Sequence, residues 1–416
     1  MANIYDEVSV ISEARIRLNF LANKEKMPGV VYQVFENNQY TQLNVPSKFF
    51  KDLTLQDKVI MAKARIKEFI ESLPNQEIMI SFSGGKDSCV LKYLVDEVQK
   101  EMGISEYFPT ITAMEIFHPE TFKFIKDMSR ERERDVILPW IKSFDKLIKQ
   151  DGIPMISKQL AQKISHIRNT QNHKTYIRAT LGLDNKIFGV LPIKYIHFLD
   201  KELCDYKISH KCCDFIKGPV KHDKRPVFIG TTIQESRLRR NTWLKYGCIG
   251  YEKGKPATCK PLSLWTEKDI WNFIVEKNIE VSPVYKLDRE SRLPKGYLRS
   301  GCVCCMFGLS LEEMIKEKTG IPNRFELLFA SNRKAFDYYV LGEPQLWKPL
   351  THLGIHLDIE CEEYEKLYRI EKNNLEKWYS NKRENVRKIL DEIELRNPSI
   401  WNNQDEKEEV LRHYGG

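Results

Sequence analysis

The chain has 416 residues, which is longer than a domain with a single hydrophobic core usually is. Two or three domains are therefore expected. Hydrophobic residues make up 42% and charged residues 30%, the balance of a soluble globular protein. No apolar stretch approaches the roughly 18 residues that a membrane-spanning helix needs, so no membrane contact is expected.

The net charge of +8 is unevenly distributed along the sequence. The segment from Lys207 to Lys260 holds 13 basic and 4 acidic residues. Such a local positive field favours a polyanion, either the phosphates of a nucleotide or a nucleic-acid backbone. The alternative is a solvated basic surface without a partner.

The N-terminal sequence MANIYDEVSV shows neither a basic flank nor an apolar run, so a cytoplasmic location is expected. In a reducing compartment, ten cysteines in clusters are more often metal ligands or catalytic thiols than disulfides.

The elements expected in chain order are those of an α/β fold. The hydrophobic residues within residues 1–54 show no clear periodicity, and this segment is expected to be an N-terminal extension. Short apolar runs at Glu77–Phe82, Ile111–Phe117 and Pro226–Thr231 predict strands, and stretches with helical periodicity lie between them. This alternation predicts a Rossmann-like parallel sheet flanked by helices over residues 55–280.

The remaining sequence predicts helices after this core. Residues 281–357 form a Cys-containing region expected to pack on the core, and residues 358–416 form a charged, helical tail that could dock a partner subunit or sulfur donor. Thr266 with Asp269, and Ser310 with Glu313, have the spacing of capping boxes at helix starts.

The segment Ser81–Ser88, SFSGGKDS, follows the first of these strands and precedes a helix. Gly84 and Gly85 allow backbone conformations that are closed to other residues, so that consecutive N–H groups can converge on an anion at the start of the helix. Lys86 adds a positive charge. The Walker pattern is absent, so another kind of phosphate loop is required.

The sequence SGGKDS resembles the pyrophosphate loop of the adenine nucleotide alpha-hydrolase superfamily, whose members handle ATP or an adenylyl sulfate at the α-phosphate. Further segments resemble the phosphoadenosine phosphosulfate (PAPS) reductase family and occur in the family's order between about residues 77 and 357. These segments are Pro119–Thr121, Glu235–Arg239, Pro261–Trp271 and Gly296–Cys305.

This resemblance implies roles for individual residues. Ser83, Gly84, Gly85 and Ser88 are expected to bind pyrophosphate, Lys86 to neutralise its charge, and Asp87 to orient the loop or a Mg ion. The residues expected to complete the nucleotide or nucleic-acid site are Glu235, Ser236, Arg237, Arg239 and Arg240. Lys86, Asp87 and Cys304 are the expected catalytic residues.

Cys212-Cys213 and the later pair Cys302 and Cys305 supply four thiolates, which can hold zinc or an iron–sulfur cluster. Two adjacent cysteines are poorly placed to bind the same small metal ion, whereas a cubane cluster has separate iron atoms that neighbouring thiolates can each bind. The cluster is therefore favoured over zinc and over reduced structural cysteines. The pattern also resembles the 4Fe-4S site of assimilatory adenylyl-sulfate reductases. Cys304 could replace a neighbouring ligand or act as a sulfur carrier.

The resemblance also has departures. The family's C-terminal Glu-Cys-Gly-Leu-His segment has no counterpart in this sequence, whose last cysteine, Cys361, is flanked by carboxylates that disfavour a thiolate. Thr232 stands where the family often has arginine.

Three functions are therefore considered. The leading hypothesis is ATP-dependent adenylation and sulfur transfer with an iron–sulfur cluster, because the core and cysteines are also similar to those of DNA-phosphorothioation components and certain tRNA-thiolating enzymes. DNA or tRNA would then be the partner. The alternatives are a reductase that produces sulfite from a sulfonucleotide, and a non-catalytic subunit that binds a nucleotide or nucleic acid.

Overall fold

The structure is a computed structural model. It describes residues 17–19, 30–36, 39–45, 53–113, 118–130, 133–138, 144–170, 173–184, 189–218, 223–235, 237–252, 254–286, 296–297 and 300–416. The chain forms two compact units. The first contains Met1–Pro139 and Lys217–Ser300, and the second contains Trp140–Ile216 and Gly301–Gly416. Each unit therefore combines two separate stretches of sequence, whereas the segments expected from the sequence were contiguous.

The strands are β1 (Arg17–Asn19), β2 (Val30–Glu36), β3 (Gln39–Val45), β4 (Met79–Ser81), β5 (Thr110–Ala113), β6 (Val136–Leu138), β7 (Met155–Ile156), β8 (Val227–Ile229), β9 (Ile249–Gly250), β10 (Thr258–Cys259) and β11 (Met306–Phe307). The α-helices are α1 (Leu55–Glu71), α2 (Lys86–Glu101), α3 (Pro119–Arg130), α4 (Phe144–Asp151), α5 (Lys158–Asn169), α6 (Lys174–Leu181), α7 (Cys212–Ile216), α8 (Arg237–Tyr246), α9 (Glu267–Lys277), α10 (Leu309–Thr319), α11 (Arg324–Ser331), α12 (Arg333–Phe336), α13 (Trp347–His352), α14 (Glu362–Ser380), α15 (Lys382–Arg396) and α16 (Gln404–Gly415). Short 3-10 helices span Ile193–Leu199 and Pro283–Tyr285, and a π-helix spans Asp337–Leu341.

The first unit is built on a sheet with strand order β6-β5-β4-β8-β10-β9. Every neighbouring pair is parallel except β10 with β9, which is antiparallel. The order of strands along the chain reverses between β4 and β8, which makes the crevice at their carboxyl ends the expected ligand site of such a sheet. The predicted α/β fold with a mostly parallel sheet and flanking helices is confirmed.

The apolar face of α1 packs against this sheet. Ala62, Ile66 and Phe69 are fully buried at helical spacing. The ring of Phe69 meets that of Phe228 on β8 edge to face, with centroids 5.0 Å apart. Strands β1, β2 and β3 form a separate antiparallel sheet, although no period was recognised in residues 1–54.

The second unit is largely helical. Its small sheet pairs β7 with β11 in parallel, which joins residues that are about 150 positions apart in the sequence. The tail helices α14, α15 and α16 are present as expected, and α15 buries Val386, Ile389, Leu390 and Ile393. The hydroxyl of Tyr414 on α16 donates to the carbonyl of Leu191 at 2.9 Å. The tail is therefore packed against other parts of its own unit.

The two expected capping boxes have different outcomes. Thr266 and Asp269 form the reciprocal hydrogen bonds of a capping box at the start of α9, as predicted. The Ser310–Glu313 prediction is wrong, because α10 begins at Leu309 after Gly308, which has a left-handed φ of +80°. Leu309 is fully buried.

Among the described residues, no helix combines the length and the apolar character that crossing a membrane requires.

Candidate functional site

The phosphate loop, residues Ser83–Ser88, joins β4 to α2 at the point where the strand order of the sheet reverses. The segment after β8 approaches it from the neighbouring strand. A Cβ atom on Gly230 would lie 2.9 Å from the carbonyl oxygen of Asp87, so only glycine allows this approach. Gly230 was not singled out from the sequence, because its role depends on a contact with a distant segment.

Gly84 and Gly85 are required for two different reasons. Gly84 has a φ of +67°, and a Cβ atom there would lie 2.8 Å from Cγ1 of Ile125 on α3. Gly85 is the N-cap of α2 in an extended conformation, and a Cβ atom there would lie 2.8 Å from Oγ of Ser300. The loop is therefore enclosed by side chains on two sides.

Ser88 organises the loop from within. Its hydroxyl donates to the carbonyl of Gly85 at 2.8 Å and accepts from the N–H of Ser83 at 3.3 Å. Within the described part of the chain, the N–H groups of Gly84, Gly85, Asp87 and Ser88 have no hydrogen-bond acceptor. Unbonded N–H groups at the start of a helix are typical of sites that bind anions.

Lys86 brings a buried positive charge to this loop, since only 9% of the residue is exposed. Its Nζ lies 3.1 Å from Oδ2 of Asp87 and 3.7 Å from Oε1 of Glu267 on α9. Burial favours the neutral amine, but the negative charges of Asp87 and Glu267 outweigh it, so the pKa of Lys86 is raised. The ammonium is therefore charged.

Tyr285 and Ser300 complete the loop's surroundings. The backbone N–H of Lys86 donates to the Tyr285 hydroxyl at 3.0 Å, and that hydroxyl donates to Oγ of Ser300 at 3.2 Å. Ser300 lies in a segment that the sequence had marked, whereas Tyr285 was missed. Its signal in the sequence is weak, because an isolated tyrosine about 200 positions away does not reveal a contact with the loop.

The loop after β8 holds the second group of expected site residues. The carboxylate of Glu235 accepts from the buried N–H of Thr232 at 3.0 Å and also forms an ion pair with Arg239. Thr232 itself is only 4% exposed, so it fills an interior position rather than presenting a charge to a ligand. Ser236 and the side chain of Arg237 lie outside the described residues.

The four cysteines expected to bind a cluster all belong to the second unit. Cys212 and Cys213 begin α7, and Cys302 and Cys305 precede β11. A hydrogen bond with Cys213, burial, and the nearby Cys305 and Cys302 all raise the pKa of Cys212. The fold therefore brings the two distant pairs into electrostatic contact.

The cysteine loop, residues Cys302–Cys305, is held by Arg324 on α11. The Nη1 of Arg324 donates to the carbonyl of Cys305 at 2.9 Å, and its guanidinium forms a buried ion pair with Glu312 on α10. Burial opposes the charge of Arg324, but Glu312 and the nearby cysteines outweigh it and raise the pKa of the guanidinium. A fixed positive charge thus lies beside the thiols.

Cys304 differs from its neighbours in exposure. It is fully buried at 0%, whereas Cys302 and Cys305 are partly exposed. None of the ten cysteines, all of which lie in described ranges, forms a disulfide. Within those ranges, no set of three or more His, Cys, Asp or Glu side chains is arranged to hold a metal ion.

Comparison with known proteins gives matches of three kinds. Residues 77–307, more than half of the chain, match the model of the phosphoadenosine phosphosulfate reductase domain. The chain is 25% identical over 227 residues to sulfate adenylyltransferase subunit 2 of Rhizobium meliloti (strain 1021), which covers 53% of this chain and 64% of that protein. The match thus spans less than two thirds of the relative's length.

Two solved structures show weaker likeness. The FMN adenylyltransferase of Candida glabrata, in complex with FMN and the ATP analogue AMPCPP, is 14% identical, with 58% of this chain and 66% of that chain covered and a TM-score of 0.32. The phosphoadenylyl-sulfate reductase of Candida auris, as a phosphate complex, is 9% identical, with 58% and 87% covered and a TM-score of 0.29.

Proposed function

Since the chain belongs to the phosphoadenosine phosphosulfate reductase domain family, we propose that its first unit binds an adenine nucleotide at the phosphate loop. The observation that carries the proposal is the set of N–H groups at Gly84, Gly85, Asp87 and Ser88, which belong to the same loop as the charged Lys86, at the strand-order reversal of the sheet. Backbone donors and a cation at a helix start are the features that bind a pyrophosphate.

In this proposal the residues of the loop have different roles in nucleotide binding. The N–H groups of Gly84 and Gly85 and the hydroxyl of Ser83 bind phosphate oxygens, while Lys86 neutralises their charge. Asp87, which faces Lys86 in the structure, would orient that amine or a Mg ion carried by the nucleotide. Glu235 and Arg239, with Ser236 and Arg237, would complete the nucleotide site.

The proposed reaction is adenylation followed by sulfur transfer. An oxygen of the acceptor attacks the α-phosphorus of ATP, and pyrophosphate leaves with the electron pair of the broken P–O bond. A sulfur nucleophile then displaces AMP from the adenylylated acceptor. The adenylyl transfer named for the rhizobial relative supports the first of these steps.

The cysteines are proposed to hold a 4Fe-4S cluster, with Cys212, Cys213, Cys302 and Cys305 as ligands and zinc as the alternative. The donor set fits, because four thiols, the usual ligands of such a cluster, lie in one unit of the fold. A bound cluster would supply redox or sulfur-carrying chemistry.

Nucleic acid is the proposed acceptor, DNA or tRNA, because of the basic segment Lys207–Lys260. Part of its charge is already balanced, since Arg225 pairs with Asp223 and Glu77, and Lys255 pairs with Glu252. We propose that Arg237, Arg239 and Arg240 contribute to the nucleic-acid contact. The tail helices would dock a sulfur donor or partner subunit, and the 82% exposed Leu395 on α15 is a candidate contact.

The deciding experiment is calorimetric titration of anaerobically purified protein with ATP, adenylyl sulfate and PAPS, together with assays for AMP and sulfite. ATP binding with AMP formation is the expected result. A preference for PAPS with sulfite release would instead support a reductase, and ATP binding without AMP formation would support a binding subunit.

A variant links the measured binding to the loop. Lys86→Ala should weaken ATP binding by at least about tenfold, since a charge-assisted hydrogen bond contributes about 1.5–3 kcal/mol. Lys92→Ala is the matched control, because Lys92 is equally buried on the same helix but pairs with Asp96. Equal affinity of the two variants would contradict the loop assignment.

A further inference from the structure

Two segments that follow the phosphate loop by about 200 residues are packed against it. We call them the backing segments: Ser282–Tyr285, and Gly296 and Tyr297 with Ser300. They reach the loop through the Tyr285 hydroxyl, which accepts the N–H of Lys86 at 3.0 Å and donates to Ser300 at 3.2 Å. The first N–H of α2 is thus held by a side chain.

The backing segments hold each other in register. The N–H of Gly296 donates to the carbonyl of Tyr285 at 2.9 Å, and the N–H of Tyr297 donates to that of Val284 at 3.0 Å. A Cβ atom on Gly296 would overlap the carbonyl oxygen of Val284, so this close pairing depends on glycine. Tyr285 therefore projects from a paired backbone rather than from an isolated turn.

The backing segments are also attached to α3, the helix that encloses the other side of the loop. The hydroxyls of Thr121 and Ser282 are 2.8 Å apart, and the rings of His118 and Tyr297 have centroids 3.9 Å apart. Ile125 on α3 lies against Gly84, and Ser300 of the backing segments lies against Gly85. The two glycines are therefore enclosed by α3 and the backing segments, which are attached to each other.

The position of the Tyr285 hydroxyl is closely restricted. Only 1% of the residue is exposed, and its ring meets Trp271 edge to face with centroids 5.2 Å apart. Ser300, its other partner, is 8% exposed. A buried hydroxyl must keep its partners, because a lost hydrogen bond is not replaced by water.

We propose that Tyr285 is a positioning residue of the phosphate loop, which fixes the first turn of α2 by holding the Lys86 N–H. This inference rests on the proposed nucleotide binding and deepens it. Since the Lys86 N–H is engaged, the pyrophosphate is bound by the N–H groups of Gly84, Gly85, Asp87 and Ser88 and by the Lys86 ammonium. Tyr285 thus sets the direction of these donors without touching the ligand.

The test compares Tyr285→Phe with Tyr93→Phe in the full chain. Tyr93 lies on α2 beyond the loop, where its ring meets Phe273 edge to face with centroids 5.8 Å apart. Amide hydrogen exchange of peptides covering residues 83–89 is measured without nucleotide, and ATP binding is measured by calorimetry. Tyr285→Phe should speed exchange of the Lys86 amide, read from overlapping peptides, by about five- to tenfold and weaken ATP binding by a similar factor, as expected for one lost hydrogen bond. Tyr93→Phe should change neither.

The outcomes separate this inference from the proposed function. Unchanged exchange in residues 83–89 would overturn the inference, and so would faster exchange throughout the first unit, which indicates a merely structural tyrosine. Faster exchange confined to the loop, in a protein whose wild type does not bind ATP, would uphold the positioning role and overturn nucleotide binding. Ser300→Ala provides a milder variant with the same expected direction, and its effect should not add to that of Tyr285→Phe.

Discussion

The guanidinium of Arg324 donates a 2.9 Å hydrogen bond to the backbone carbonyl of Cys305, and the same side chain is ion-paired with Glu312. Both charged residues are only 7% exposed. An ion pair in such a place is costly to break, because the remaining charge stays buried without its partner. Arg324 therefore connects the shape of the cysteine loop to the stability of the second unit.

Replacing Arg324 by Met should lower the free energy of unfolding by about 3–5 kcal/mol, because it leaves Glu312 buried and unpaired. The matched control is Arg333→Met. Arg333 forms an ion pair with Asp337 in which both side chains are about half exposed, and such pairs contribute about 0–1 kcal/mol. Urea unfolding followed by circular dichroism measures both. Equal losses would show that the Arg324–Glu312 pair is not structurally important.

A second prediction concerns the two reasons why glycine is needed at position 84. Gly84→Ala introduces both a left-handed alanine and an overlap with Ile125, whereas Gly103→Ala has a similar φ of +70° and open space around it. We expect Gly103→Ala to cost about 1–2 kcal/mol from backbone strain alone, and Gly84→Ala to cost about 1–3 kcal/mol more.

Urea unfolding and ATP titration of the two alanine variants check this prediction. Gly84→Ala should also lose ATP binding, because Ile125 and the alanine side chain displace the loop. Equal stability of the two variants, with ATP binding retained in both, would show that α3 yields to the added methyl group.

The sequence predicted the phosphate loop and its two flanking elements, because the information is local. An apolar run, two glycines and a helical period lie within about 25 consecutive residues. The engagement of the Lys86 N–H by Tyr285 could not be predicted in the same way, since the two residues are 199 positions apart. Their contact depends on the sheet topology and on Gly296, and neither leaves a periodic signal.

In the cysteine region, too, the sequence predicted local features but not contacts between distant residues. The spacing of Cys302 and Cys305 marked a ligand pair, but it gave no indication that Cys304 between them is fully buried. The tail was predicted as helical from its apolar positions, while its attachment through Arg178 was not. Arg178 bonds to Glu406 and to the carbonyl of Ile400, more than 200 residues away.

A third prediction follows from Arg178, which bonds to the carboxylates of Asp184 and Glu406. Hydrogen bonds from Arg178 and from Asn402 lower the pKa of Glu406 to about 2, and Arg178 also lowers the pKa of Asp184. In the unfolded chain the pKa of a glutamate is about 4.3 and that of an aspartate is about 3.9. Their contribution to stability is therefore present above about pH 4 and is lost as the pH falls toward about 2.

The measurement is the difference in urea midpoint between wild type and Arg178→Met at pH 6 and at pH 2.5, which should shrink markedly in acid. Arg387→Met is the control, because Arg387 forms an exposed ion pair with Glu384 and its replacement should give a small difference at both pH values. A difference that persists at pH 2.5 would mean that Arg178 acts through the Ile400 carbonyl rather than through the carboxylates.

The last prediction addresses Cys304 as a sulfur carrier. Because Cys304 is fully buried while Cys302 and Cys305 are partly exposed, iodoacetamide should modify the latter two at least about tenfold faster in anaerobic, chelator-treated protein. Mass spectrometry of peptides from the Cys302–Cys305 segment resolves the three sites, and denatured protein, in which all three should react alike, is the control. A slow Cys304 would assign sulfur chemistry to its neighbours, whereas equal rates would show that the loop opens and would restore Cys304 as the carrier.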